Sequence, residues 1–169
     1  IGATVQQTTF DCSDPVINNA LEMIQNTRRS NQFEMPTDCC ARDERIGWGM
    51  EGNHFLYAMT YLSNQQAFMR KWAADIWEAQ REDGALEATA PPVMMKDIQP
   101  FVGDLQSNHG MYMLHALYRM YGDASLFEKY FDKAVQYFAF LEKNSDRHIR
   151  TAISCDWLGI WEETGHSDL

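Results

Sequence analysis

Residues Thr37 to Gly52 read TDCCARDERIGWGMEG. Four acids fall in this stretch (Asp38, Asp43, Glu44, Glu51), with two arginines (Arg42, Arg45), Trp48, and the glycines Gly47 and Gly49 just ahead of Glu51. Carboxylates give and take protons, an indole offers a flat apolar face, and guanidinium groups tune the acidity of neighbouring carboxyls. Together they suit a sugar: hydroxyls to hydrogen bond, an apolar ring face to cover, and a glycosidic oxygen that needs a proton. Residue types alone leave rival readings open. Glu44 is equally a solvated acid beside Arg45, Asp38 a turn residue after Pro36 and Thr37, and Trp48 a core residue.

The rest of the composition narrows the partners. A chain of 169 residues has the length of about one domain. A fold of that size buries roughly 70% of its unfolded surface. Hydrophobic residues make up 45% and aromatics 12%, a globular composition rather than a disordered one. The net charge of −10 argues against nucleic acid and anionic membrane as partners, since both call for basic patches, and fits a neutral ligand. No run of 18 apolar residues occurs, so no transmembrane helix is expected, and a soluble protein of the cytoplasm or periplasm is. The chain starts at Ile1 without a basic and apolar leader, which fits both a removed leader and a piece of a longer protein. Cys12, Cys39, Cys40 and Cys155 form no C-x-x-C pair and read as reduced thiols. His54, His109, His115, His148 and His166 are scattered, so neither a metal nor a cofactor is expected.

The elements that must position the acidic stretch are helical. Asp14-Pro15 is a capping residue followed by proline at the first helical position, and Ile17, Leu21 and Ile24 follow at helical spacing to about Arg29. A polar loop, 30–45, leads to a second helix from about Glu51, with Phe55, Leu56, Met59 and Leu62 as its stripe. A third runs over about 64–80, with Phe68, Trp72 and Ile76 as core. The segment 81–105 is long, irregular and proline-bearing, a pattern more often functional than not. A fourth helix covers about 107–121, with Met111, Leu114, Tyr118 and Tyr121 inward and Gly122 as its cap. A fifth runs from about Asp123 to Lys143, with Phe127, Phe131, Ala134, Phe138 and Leu141 inward. No strand-like alternation of useful length appears. The class is all-α, and alternating long loops and helix pairs suit a toroid better than a bundle with uniformly short connections.

The run Asp38-Cys39 followed by Arg42-Asp43-Glu44-Arg45-Ile46-Gly47-Trp48 resembles the signature of bacterial α-L-rhamnosidases of glycoside hydrolase family 78, which usually reads D-C-P-Q-R-D-E-R-L-G-W-T-G-D-A. Arg70-Lys71-Trp72, Ala79-Gln80-Arg81, Asp83-Gly84, Tyr121-Gly122-Asp123 and Asp156-Trp157-Leu158 resemble further family positions in order, so the likeness covers the chain from about Phe10 onward. It implies an (α/α)6 barrel of about twelve helices. With about five helices here, residues 1–169 form a single all-α domain that is part of such a catalytic barrel, its first half. The implied reaction is inverting hydrolysis of terminal α-L-rhamnosyl residues, on a rhamnose-containing glycoside or oligosaccharide.

By the same resemblance Glu44 is the general acid, Asp38 and Glu51 bind sugar hydroxyls, Trp48 is a stacking platform, and Asp156 and Trp157 belong to the cleft. Glu51 departs from the family's Asp by one methylene, and Gly49-Met50 and Cys40-Ala41 replace T-G and P-Q. Arg42 and Arg45 are expected to hold the loop through ion pairs. Inversion also needs a general base, which in the family is a glutamate from the later half of the barrel. This chain alone is therefore expected to be a poor catalyst. Its unburied apolar helix faces would be covered by a homo-oligomer or by the remainder of a longer chain. The rival functions are a non-catalytic carbohydrate-binding or assembly remnant of the fold, and another (α/α) barrel hydrolase.

Overall fold

The structure is a computed structural model that describes residues 6–38, 44–93 and 104–150, with the backbone alone at 104, 105 and 150. The order of elements is α1 (Pro15–Asn31), α2 (Gly49–Met59), α3 (Gln66–Glu78), a single turn α4 (Asp104–Ser107), α5 (His109–Tyr121), α6 (Ser125–Lys143), and a two-strand ladder of β1 (Ser145–Asp146) with β2 (Ile149–Arg150). Short turns join α2 to α3 and α5 to α6, and long connections precede α2 and α5, as the sequence pattern predicts.

Four helices make the core. α3 packs on α5 and α6, and α2 packs on α5 and α4. Phe68, Trp72 and Ile76 of α3 are all buried, together with Met69, Ala73 and Trp77. The two buried indoles still find acceptors: Trp72 Nε1–H donates to the Ala90 carbonyl at 3.0 Å and Trp77 Nε1–H to the Gly110 carbonyl at 3.2 Å. Buried donors without such partners would be costly. At the end of α5, Gly122 takes the left-handed conformation (φ 66°) and its N–H donates to the Tyr118 carbonyl, as its predicted capping role requires.

α1 lies at the periphery. The Asp14 side chain accepts from the Val16 N–H at 2.8 Å, with Pro15 opening the helix. Asn18 staples the preceding segment by bonding Asp11 and the Cys12 backbone. Cys12 is a free thiol. At the far end, Gln32 Nε2 donates to Gln65 Oε1 in the α2–α3 turn, while the Gln65 N–H donates to the Tyr121 hydroxyl. Ile17 and Ile24 of the expected apolar stripe are exposed, and α1 buries Gln25 and Arg28 instead.

Two other expected faces are corrected. In α5 Tyr118 is exposed, and the inward residues are His109, Gly110, Met113, Leu114, Ala116 and Leu117. In α6 Phe131 and Phe138 are exposed, whereas Leu126, Tyr130, Ala134 and Tyr137 are inward. Aromatics surround α6, so its periodicity supports two overlapping stripes. The tyrosine stripe wins the interior because its hydroxyls have partners: Tyr137 donates to Asn108 Oδ1 at 2.9 Å and Tyr130 to Glu78 Oε1 at 3.0 Å. A non-helical residue at Tyr130 also shifts the phase midway. The β1–β2 pair, absent from the sequence reading, forms because Arg147 and His148 both adopt positive φ, the conformation of a tight two-residue hairpin.

Candidate active site

The acidic stretch leads directly into α2. Asp38 closes the preceding loop, its N–H donating to the Ile46 carbonyl at 3.0 Å. Arg45 has positive φ (50°), which turns the chain between Glu44 and the buried Ile46. The Gly47 carbonyl then accepts from the Ala90 N–H, and the Gly49 N–H donates to the Ala88 carbonyl, each at 2.9 Å. This short backbone clamp holds Trp48 at the cap position of α2.

Trp48 is half-buried, and its Nε1–H donates to Glu44 Oε1 at 2.7 Å. The bond fixes the carboxylate against the indole edge. Trp48 is therefore neither a core residue nor a free surface ring. Arg45 is exposed and forms no salt bridge among the described residues, contrary to the loop-holding role expected of it.

Glu51 lies in the first turn of α2, where the helix dipole favours an acid. Its carboxylate accepts from Gln106 Nε2, 3.1 Å from Oε2. Trp48 gives the helix no side-chain cap, and Gln106 Oε1 supplies the missing acceptor to the Met50 N–H at 2.7 Å. Gly49 lacks a Cβ for a steric reason: one there would lie 1.9 Å from the Gln106 carbonyl oxygen and 2.4 Å from His109 Nδ1.

Asp38 and Glu51 share the wall of a pocket of about 160 Å³ with Thr27 and Asn31 of α1, Pro36, Thr37, Gly52 and Phe55. The carbonyl of Asn31 accepts from the Thr37 backbone and hydroxyl, which ties α1 to the loop, while Asn31 Oδ1 is buried without a hydrogen-bond partner. Two carboxylates, two hydroxyls, an amide oxygen and one phenyl ring can receive a small polyhydroxylated ligand. Glu44 and Trp48 lie on the chain between the two pocket acids but do not line this pocket. Asp156 and Trp157 lie outside the described residues, as do Cys39, Cys40, Arg42 and Asp43.

Sequence reasoning missed Gln106, Asn31 and Thr27. Gln106 sits just past the segment 81–105 flagged for its length, and a polar residue abutting a helix start was the available signal. His109 has a structural place, as expected. Its Nδ1–H donates to the Gln106 carbonyl, and its ring stacks 5.6 Å from Trp72. Burial pushes its pKa down to about 4, against the smaller opposing effect of that backbone bond, so the imidazole is neutral at pH 7. Among the described residues no three His, Cys, Asp or Glu side chains group as a metal site, and no helix is long and apolar enough to cross a membrane.

The helical pairs and the acidic loop define the class: part of a six-hairpin (α/α) barrel of the glycosidase kind. An α-L-rhamnosidase from Streptomyces avermitilis, solved in complex with L-rhamnose, superposes with a TM-score of 0.82 at 31% identity, over 92% of this chain and 15% of that one. A second α-L-rhamnosidase structure, from Dictyoglumus thermophilum, gives 0.73 at 32% identity, over 83% of this chain and 16% of that one. Residues 5–168 match the family described as the bacterial alpha-L-rhamnosidase 6 hairpin glycosidase domain, and the chain belongs to that family. In sequence it is 32% identical over 162 residues to the Streptomyces avermitilis alpha-L-rhamnosidase, covering 92% of this chain and 15% of that protein. It is 25% identical over 170 residues to one from Alteromonas sp., covering 96% and 18%. The chain thus spans less than a fifth of the length of these relatives.

Proposed function

We propose that this domain serves the inverting hydrolysis of terminal α-L-rhamnosyl residues, with Glu44 as the general acid. The observation that carries the reading is the fixed Glu44 carboxyl, held by the Trp48 indole at 2.7 Å on the loop that joins the two pocket acids, Asp38 and Glu51. In the proposed reaction Glu44 gives its proton to the glycosidic oxygen as the C–O bond breaks. Water attacks the anomeric carbon from the opposite face, and a second carboxylate takes the water's proton. Asp38 and Glu51 accept hydrogen bonds from the sugar hydroxyls, and Trp48 offers its indole face to the ring. The family resemblance adds Asp156 and Trp157 as further sugar contacts. The base comes from outside residues 1–169, so the chain alone binds sugar better than it hydrolyses it. A neutral deoxy sugar also accords with the net charge of −10.

Hydrolysis of a set of α-L-rhamnosides with leaving groups of graded acidity tests the role of Glu44. Glu44→Gln is expected to lower kcat/KM by about 10²–10⁴ for a poor alcohol leaving group, and by less for an acidic phenol that needs no proton. Inversion predicts that the first-formed product seen by NMR is the β-anomer. A loss of equal size across the set would remove Glu44 from the acid role. Rhamnose binding with no turnover of any of the glycosides, measured where the rest of the barrel supplies the base, would favour the carbohydrate-binding reading instead.

A further inference from the structure

We propose that Gln106 is a positioning residue that sets where the Glu51 carboxylate stands in the pocket and so selects which sugar hydroxyls it can receive. This rests on the functional reading above. Gln106 is only 5% exposed, and both ends of its amide are engaged. Oε1 accepts from the Met50 N–H at 2.7 Å, and Nε2 stands 3.1 Å from Glu51 Oε2 and 3.5 Å from Oε1. The two partners dictate the amide's orientation. Flipping it would set a carbonyl oxygen against a carboxylate and an NH₂ against an N–H.

The anchor itself is rigid. The Gln106 backbone carbonyl accepts from His109 Nδ1–H, and that ring is buried and stacked on Trp72 in the core. A charged acceptor on an amide donor makes a stronger bond than a neutral pair. Glu51 has one more rotatable bond than an aspartate and, left alone, would spread its carboxylate over several rotamers. Gln106 removes that freedom by holding the carboxylate from behind the pocket lining, which it does not itself join. A segment more than fifty residues downstream thereby fixes the reach of an acid in the α2 first turn, and the length of that acid and its tether act as one unit.

The test is a double-mutant cycle read by L-rhamnose affinity in calorimetry, with thermal melts alongside to verify folding. Gln106→Glu keeps shape and keeps an acceptor for the Met50 N–H, but replaces the amide donor facing Glu51 with a second carboxyl that repels it or shares its proton. It is expected to raise the L-rhamnose Kd about tenfold in the wild-type background. In the Glu51→Asp background, where the shorter acid falls short of Gln106, it is expected to change Kd less than twofold. The same factor in both backgrounds would make Gln106 a merely structural support and overturn the proposal, while leaving the sugar site standing. A wild-type protein that binds no L-rhamnose would instead overturn the functional reading, and this proposal with it. Glu51→Asp alone gives a second measurement should Gln106→Glu fail to fold. The ratio of Kd values for L-rhamnose and L-mannose is expected to move at least threefold, and an unchanged ratio contradicts the positioning role.

Discussion

Helices α1 and α3 both carry apolar residues at helical spacing, and they end in opposite surroundings. α3 buries six residues, all apolar or aromatic, and leans on α5 and α6. α1 buries a glutamine and an arginine, exposes Val16, Ile17, Met23 and Ile24, and is held by polar ties at its C-terminal end. The pocket lies where these two kinds of helix meet. Its firm wall is α2, whose Gly52 rests so close to Trp72 that a Cβ would lie 2.2 Å from the ring. Its other wall is the last turn of α1, which contributes Thr27 and Asn31. Packing fixes one wall and a few hydrogen bonds fix the other, so damage to the core should reach the site, whereas changes to the exposed side of α1 should not.

The sharpest way to break this contrast is in the core. Trp72→Ala removes a fully buried indole and its bond to Ala90, and is expected to cost about 3–5 kcal/mol in urea unfolding. A cost below about 1 kcal/mol would mean that the firm wall is not firm. Next in size is a pH effect of the same layer. His109 is neutral in the fold, its pKa lowered from 6.5 to about 4, so the unfolded chain takes up the extra proton first as pH falls. Stability should therefore drop between about 6.5 and 4, by at most about 1.4 kcal/mol per pH unit from this residue. The His109→Asn protein should show a shallower slope of urea midpoint against pH over that window, and parallel curves would contradict the assignment.

Gly49→Ala tests the junction itself. The new methyl must push back the Gln106 carbonyl and His109, at an expected cost of about 1–3 kcal/mol with a matching loss of L-rhamnose affinity. Full stability with full affinity would show that the close approach at the start of α2 is unimportant. The smallest effect is expected on the exposed faces. Met23→Ser in α1 and Phe138→Ser in α6, at residues 69% and 55% exposed, should each change stability by less than about 0.5 kcal/mol. A larger loss at either position would show that its face is packed in the protein as isolated.

The contrast also explains how much of the molecule could be read in the sequence. The repeat of Phe68, Trp72 and Ile76 is unambiguous because the residues between them are largely polar or small, and α3 buries that stripe. α6 offers aromatics on every side, so periodicity could not choose between Phe131–Phe138 and Tyr130–Tyr137, and the choice fell to hydroxyl partners on other helices. At the site, Asp38, Glu44, Trp48 and Glu51 are legible because one short stretch of chain holds them all. Gln106 and Asn31 are not, since one meets Glu51 and the other lines the pocket from a distant segment, and neither has a residue type that signals chemistry. The bond from Trp48 to Glu44 is local, yet neither spacing nor residue type foretold that the indole edge, rather than its face, would meet the acid.

The claim on which the rest depends is that the Glu44–Trp48 pair borders a rhamnose site. The indole N–H resonance of Trp48, assigned by its loss in Trp48→Phe, reports on that pair directly in a titration of the ¹⁵N-labelled protein with L-rhamnose. The account predicts a saturable shift of this signal that is absent with a sugar the pocket does not bind. A Trp48 resonance that stays fixed at saturating L-rhamnose would contradict it.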